Sequence, residues 1–382
     1  MSPRENDEQK PVVAIFRSAV FNPSERFIQD QAAALTRWRP VVVGLEVKGE
    51  MLPRLREAIV TKSARERVSF HLRGRGGLIE AKLRATRPVL IHAHFGTDGL
   101  LVLPLARALG VPLITSLRGY DVTRSDGALL RSGRPIWMRY ALGKKRLQRG
   151  GTLFLAVSDA LRKQAIARGF PEERTVTHYN GVDLDRFQPG QAPAEPGLIL
   201  HVGRLVEKKG TKVLIEALTG LADAKLVIIG DGPLRGALER QARALGERVR
   251  FLGELPSDDV AQWMRRASVL AAPSVIAADG DAEGLPNVVV EAAASGLPVV
   301  STIHSGIPEA IEDGVSGFLV PEGDVGGLAA RLTELLESEP LRREMGVAAR
   351  RLAERKFSRQ TLTERLESIY DEVAGFDRQA PA

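Results

Sequence analysis

Short aliphatic and β-branched runs recur along the chain, and longer stretches with helical spacing lie between them. In the first half the runs are 12–16, 41–45, 89–92, 113–116 and 153–157. In the second they are 198–202, 226–229, 249–252, 269–272 and 299–301. Apolar positions fall at helical spacing in 212–218, 328–336, 341–355 and the tail 357–373. A continuous apolar run predicts a strand covered on both faces, and strands alternating with helices predict a parallel sheet. The alternation occurs twice. The expected fold class is therefore α/β, two doubly wound domains with a cleft between them. Three prolines within 188–196 mark the break. That gives domains 1–188 and 189–356, with a helix over about 357–376 expected to pack back on the first.

Composition narrows the class. The chain has 382 residues, 44% hydrophobic and 26% charged, an ordinary globular mix that excludes fibrous and disordered classes. It has no cysteine, which excludes thiol nucleophiles, thiolate zinc sites and disulfides together. The first ten residues are polar with no apolar signal core behind them. No apolar run approaches the roughly 20 residues that a membrane helix needs. A cytoplasmic enzyme or binding protein is expected.

The net charge of +7 is unevenly divided. Residues 1–190 hold 32 Lys+Arg against 18 Asp+Glu, and the remainder holds 22 against 29. The positive half favours an anionic partner: nucleic acid, a phosphorylated substrate or anionic lipid. Aromatics are only 5% and no RNP-like or zinc-finger pattern occurs, which argues against nucleic acid.

Several common sites are missing. A dinucleotide turn needs Gly-x-Gly-x-x-Gly after the first strand, whereas Gly230-Asp-Gly-Pro-Leu-Arg-Gly236 comes late and its third glycine is one place out. There is no Gly-Lys-Ser/Thr phosphate loop and no Gly-x-Ser-x-Gly elbow. His92 and His94 alternate onto one strand face with no acidic residue near in sequence, which reads as a buried hydrogen-bonded pair rather than a metal site. Asp183-Leu-Asp185 and Asp279-Gly-Asp281 sit in turn-like stretches where aspartate bonds locally. No metal and no cofactor is expected.

Two segments carry chemistry. In Glu283-Gly-Leu-Pro-Asn-Val-Val-Val-Glu291, Gly284 and Pro286 open a helix whose free amides point where Glu283 faces. Glu291 follows two turns later among valines and alanines, where an idle carboxylate would be expensive. The second segment, Val202-Gly-Arg204-Leu-Val-Glu-Lys-Lys209-Gly210, reads as a strand end, a loop and a helix start. That is the ligand edge of a doubly wound sheet, where fixed cations can clamp a diphosphate.

In order and spacing these segments resemble the retaining glycosyltransferases of family 4, which have the GT-B fold of two facing Rossmann-like domains. The resemblance is strongest over 197–322 and includes Ile229-Gly-Asp-Gly-Pro233, Phe251-Leu-Gly253, Gly306-Ile-Pro-Glu309 and Gly314-Val-Ser-Gly-Phe-Leu-Val320. In the first half His92-Ala-His94-Phe-Gly96, Val157-Ser-Asp159 and Asn180-Gly-Val-Asp183 are also similar. The resemblance implies a donor site in which Arg204 and Lys209 hold the diphosphate of a nucleotide sugar. Glu291 would hold the ribose, Gly253 to Leu255 would border the base, and Glu283 with Gly284, Leu285 and Pro286 would face the transferred sugar. His94, Arg118 and Asp121 would lie on the acceptor side. Catalysis would rest on Glu283, Arg204, Lys209 and Arg118 without a metal.

One departure matters. Many relatives have histidine where this chain has Arg118 in Ser116-Leu-Arg-Gly-Tyr-Asp121. A guanidinium is no general base near neutral pH. In front-face retention a donor phosphate oxygen accepts the acceptor's proton instead. The segment 23–28 looks like the entry helix of relatives that build bacterial exopolysaccharides. The expected function is transfer of a hexose to a glycan or lipid-linked acceptor in cell-surface polysaccharide synthesis. A GT-B epimerase or phosphorylase and a non-catalytic sugar binder remain alternatives. The stretch 131–149 holds seven basic residues around Trp137, Met138 and Tyr140, and reads equally as a basic helix on an anionic membrane or a solvated amphipathic helix. Base, sugar, acceptor and oligomeric state stay open.

Overall fold

In the computed structural model, which describes residues 9–376, the apolar runs become parallel strands whose residues are almost all buried, except 249–252 at a sheet edge, where none is. The polar stretch 1–8 lies outside the described residues. Contacts divide the chain into two units, one running to Tyr179 and resuming at Gln360, the other comprising Asn180–Arg359.

The first unit is built on β1 (Val12–Phe16), β2 (Arg39–Gly44), β3 (Ala58–Val60), β4 (Leu90–His94), β5 (Leu113–Leu117), β6 (Leu153–Ala156) and β7 (Thr175–Thr177). They lie in the order β3-β2-β1-β4-β5-β6-β7, all parallel. β3 and β7 are three residues each, too short to register as apolar runs. Helices α1 (Ala64–Arg73), α2 (Gly96–Leu109) and α3 (Pro135–Gly150) belong to this unit. Ser63 caps α1 by accepting from the Glu66 amide, while Glu66 accepts from the Lys62 amide, so two orphan donors are satisfied reciprocally. Pro135 occupies the first turn of α3, where its missing amide hydrogen has no cost.

The C-terminal helix, Arg359–Ala374, packs on this first sheet, although nearly 200 residues separate it from β7. Its Leu366 and Tyr370 are fully buried with Ile15, Trp38 and Leu90. Its Glu367 is wholly buried and accepts hydrogen bonds from the Thr36 and Arg37 amides at 2.6 Å. The Trp38 indole donates to Asp371 at 2.8 Å.

The second unit carries β8 (Leu198–Val202), β9 (Lys225–Ile229), β10 (Val249–Gly253), β11 (Val269–Ala272), β12 (Val299–Thr302) and β13 (Gly317–Val320), in the order β10-β9-β8-β11-β12-β13. Helices α4 (Thr211–Leu218) and α5 (Asn287–Ala294) follow β8 and β11. Both sheets thus have the doubly wound order that reverses beside the first strand, and ligands bind such sheets beyond the strands' carboxyl ends. The proline-rich stretch ahead of β8 belongs to this unit, since the Glu195 amide donates to Arg266 and Gly190 packs on Arg265. The units therefore part at Asn180, ahead of the prolines.

Glu367→Ala should lower stability by about 2 kcal/mol, because the Thr36 and Arg37 amides lose their charged acceptor. Urea denaturation reads this directly, and an unmoved midpoint would show that the helix contributes nothing to the first unit.

Candidate active site

In the second unit the chain leaves β8 at Val202, turns through Gly203 to Val206, and makes a short 3-10 turn at Glu207–Lys209 before α4. Gly210 has φ of 65° and lies against the Pro273 carbonyl, so any side chain there would collide with backbone. The same holds at Gly230, with φ of 130° and the Gly203 carbonyl in the way. These contacts press the loops after β8, β9 and β11 together. Arg204 is exposed on the first of them. The Lys209 side chain lies along Gly203 and brings its Nζ to 3.3 Å from Glu283 Oε1.

Glu283 stands on the loop ahead of α5, its side chain 12% exposed, and Lys208 Nζ lies 3.4 Å from the same oxygen. Burial alone would raise the Glu283 pKa, but Lys209 and then Lys208 outweigh it and hold the pKa at about 2. Lys208 also bonds Asp281 at 3.2 Å, and its pKa is raised because Glu283 and Asp281 overcome the opposing effect of burial. The sequence reading passed over Lys208, although it stands next to Lys209. Asp279 accepts from the Asp281 amide and Asp183 from the amides of Asp185 and Arg186, so both Asp-x-Asp strings shape turns.

Gly284, Leu285 and Pro286 are buried and lead into α5 at Asn287. Within α5 only Asn287 and Glu291 are not buried, and their spacing of four places them on one helix face. Asn287 accepts from Asn180 at 2.8 Å. Gly253 ends β10 with φ of 74°, its carbonyl taken by the Gly230 amide, and Leu255 is partly exposed just beyond. The predicted donor-side residues thus stand at or just past the carboxyl ends of β8, β10 and β11, except Glu291, in the second turn of α5.

The first unit gathers cations at the ends of β1 and β5, beside His94 at the end of β4. The Arg17 guanidinium bonds Glu25 and the wholly buried Asp98, with 2.7 Å to each. Arg118 donates to His94 Nδ1 at 2.8 Å and lies 4.4 Å from the centroid of the Phe27 ring. Burial pushes the Arg118 pKa down to about 9, against the pull of Asp121 and Glu25, so it stays charged at neutral pH. Burial, with Arg118 and His92 adding to it, holds His94 well below the usual histidine range. His92 bonds Tyr370 at 2.6 Å and Ser116 at 2.8 Å, the hydrogen-bonded pair expected from the sequence.

Asp121, expected on the acceptor side, bonds backbone here. Its carboxylate is buried and accepts from the amides of Gly96, Arg118 and Gly119, so it ties the ends of β4 and β5 together. The basic stretch 131–149 is not one continuous helix. It is two helices, Asp126–Arg131 and α3, parted at Gly133. Tyr140 is wholly buried, and Trp137 is stacked on Tyr120 with Arg124 and Arg134 against its ring.

Known proteins share the sequence pattern of this chain. Residues 24–186 match the model of Glycosyltransferase Family 4 and residues 196–338 that of Glycosyl transferases group 1. The amylovoran biosynthesis glycosyltransferase AmsK of Erwinia amylovora is 36% identical over 80% of this chain and 78% of its own. The chain belongs to glycosyltransferase family 4. WcaL of Escherichia coli K12, assigned to colanic acid biosynthesis, is 38% identical over 72% of this glycosyltransferase and 69% of its own length. The structure of HepE from Anabaena, determined with UDP and glucose, superposes with a TM-score of 0.75 at 21% identity over 95% of this chain and all of that one. Sucrose-phosphate synthase from Thermosynechococcus elongatus gives 0.79 at 18% identity over 96% and 100%. The fold is GT-B, and transfer is favoured over epimerisation, phosphorolysis or mere sugar binding.

A depressed folded-state pKa at Glu283 adds stability above its unfolded value near 4.5 that is lost as pH falls toward 2. Glu283→Gln in the glycosyltransferase should therefore cost roughly 3 kcal/mol at neutral pH and flatten the acid limb between pH 4.5 and 2. Denaturation midpoints across that range test it; an identical acid limb in both proteins would place the carboxylate away from the lysines.

Proposed function

We propose that this glycosyltransferase moves a hexose, with retention, from a nucleotide sugar to a glycan or lipid-linked acceptor in exopolysaccharide assembly, and that it needs no metal. The observation that carries the reading is the set of fixed cations after β8, Lys208 and Lys209 against Glu283 with Arg204 exposed on the same loop. The HepE structures holding UDP and UDP-glucose, and the names of AmsK and WcaL, support the donor class and the biology. In this reading Arg204 and Lys209 take the donor diphosphate, Glu291 the ribose, and the backbone from Gly253 to Leu255 borders the base. Glu283 and the amides ahead of α5 face the sugar.

In the reaction the acceptor hydroxyl forms its bond to the anomeric carbon on the face that the diphosphate leaves. The carbon–phosphate-oxygen bond breaks, and a phosphate oxygen takes the hydroxyl proton. Arg204 and Lys209 balance the charge that develops on the leaving group, the task a divalent cation performs in other transferases. Arg118, charged and held by His94, contributes positive charge on the acceptor side and no base.

The acceptor reading rests on the first unit's positive charge. Along α3 the residues Met138, Leu142, Lys145, Arg146 and Arg149 are exposed at helical spacing, and Leu142 is 77% exposed. The neighbouring α1 exposes Val68 and Leu72, and Arg139 of α3 donates to the His71 carbonyl at its end. Two exposed apolar pairs among arginines and lysines suit the interface of an anionic membrane, at about 1 kcal/mol per basic residue. No helix among the described residues is long and apolar enough to cross one.

A thermal-shift panel of UDP-, GDP-, ADP- and TDP-sugars should single out a donor. Glu291→Ala should then weaken that donor about ten- to a hundred-fold by removing a charged acceptor of hydrogen bonds. Turnover should persist in EDTA and fall at least about a hundred-fold in Arg204→Ala. Loss in EDTA restored by Mg²⁺ or Mn²⁺ would refute the metal-free reading. Co-sedimentation with liposomes should require anionic lipid, weaken with salt, and drop when Lys145, Arg146 and Arg149 become glutamine. A protein that stays in the supernatant at low salt would point to a soluble acceptor.

A further inference from the structure

Glu283 is held from behind by a pair of side chains that belong to none of the motifs described so far. His304 lies just past the end of β12, is 1% exposed, and its Nε2 accepts the Glu283 amide hydrogen at 3.0 Å. Its Nδ1 lies 2.6 Å from Glu322 Oε1, just past the end of β13. The other oxygen of Glu322 accepts from the Ile276 amide at 2.8 Å. Glu322 and His304 therefore bridge two points of one loop, Ile276 near its start and Glu283 near its end.

The hydrogen-bond pattern dictates the chemistry. An amide can only donate, so Nε2 must carry a lone pair, and the ring proton must sit on Nδ1 and point at the Glu322 carboxylate. Only the neutral Nδ1–H imidazole satisfies both neighbours. Other bonds close the same loop: Val275 donates to the Lys208 carbonyl at 2.9 Å, and Gly306 donates to the Gly284 carbonyl at 2.9 Å. Ser305, with φ of 46°, adds its hydroxyl on Gly284 at 3.3 Å. A β-hydroxyl residue held in the left-handed region is strained, which fits a turn whose shape is imposed by the groups it supports.

We infer that His304 and Glu322 are positioning residues that set the backbone of Glu283, and with it the direction of the Glu283 carboxylate and the start of α5. The inference rests on the reading in which Glu283 faces the transferred sugar. The pair's hydrogen bonds run to the Glu283 and Ile276 amides, so it governs the placement of the sugar and leaves the grip on the nucleotide to other residues. A glutamine in place of His304 reaches the Nε2 position with an amide oxygen and preserves the acceptor. A leucine fills the space and leaves the Glu283 amide unsatisfied.

Two measurements on the full chain test this. In ¹⁵N-histidine NMR of the unliganded protein, with the resonance assigned through His304→Gln, His304 should be the neutral Nδ1–H tautomer at neutral pH. An Nε2–H ring or an imidazolium would overturn the inference. In kinetics with the nucleotide sugar selected from UDP-, GDP-, ADP- and TDP-glucose, His304→Leu should lower kcat about 10- to 100-fold, as sub-ångström misplacement of a reacting group does. The Kd of the matching nucleoside diphosphate should be little changed, and His304→Gln should recover most of the lost kcat. Glu322→Leu should reproduce the defect, and the double leucine variant should be no worse than His304→Leu, since the two act as one unit. An unchanged kcat overturns the inference, as does a joint fall of kcat, nucleotide affinity and melting temperature that glutamine fails to rescue. If the wild type turns over none of these donors, the donor reading fails while the NMR result still decides the clamp.

Discussion

A parallel strand covered on both faces can offer functional groups only beyond its ends. Nearly every residue of β1, β4, β5, β8 and β11 is buried, so the chemistry of both units has been pushed to the loops past their carboxyl ends. Those loops must turn at once and pass close to one another. Gly210 and Gly230 permit it by lying directly against the carbonyls of Pro273 and Gly203. Because the loops after β8, β9 and β11 are pressed together there, a lysine from the first can reach a glutamate on the third.

Crowded, half-dry loops make charge pairing compulsory. At the effective dielectric of about 20 suited to such sites, an ion pair at 3.3 Å is worth roughly 5 kcal/mol, while desolvating a carboxylate costs several. One lysine would nearly balance Glu283, and two decide the matter, which is why its pKa falls despite burial. The first unit meets the same demand by other means. Asp98 is paired with Arg17, and Asp121 is satisfied by three backbone amides. Arg118 has burial against it and still keeps its charge, so the position can hold or stabilise an anion but cannot take a proton at neutral pH.

The chain's last helix shows how far spatial order departs from chain order. Residues beyond Gln360 return to the first unit, where Tyr370 meets His92 and Glu367 binds the Thr36 and Arg37 amides. The first unit is therefore complete only when the helix Arg359–Ala374 has been made. Its polar centre beneath the site, from Ser116 through His92 to Tyr370, is assembled from both ends of the sequence.

Apolar period alone determined the two parallel sheets, because a fully buried strand must be continuously apolar whatever surrounds it. Motif order singled out the Arg204–Lys209 loop and the Glu283–Glu291 element, but not that Glu283 stands on a loop ahead of the helix that carries Glu291. The sequence could not show β3 or β7, whose three residues are too few for a period, nor that the units part at Asn180 ahead of the prolines. It also misjudged Tyr140 and Trp137, since a stretch of basic and aromatic residues looks alike whether its rings face water or a core. Tertiary structure alone made Lys208 a partner of Glu283 and joined His304 to Glu322. Those contacts depend on how far each strand runs before its loop begins, and that length is set by neighbouring strands distant in the chain.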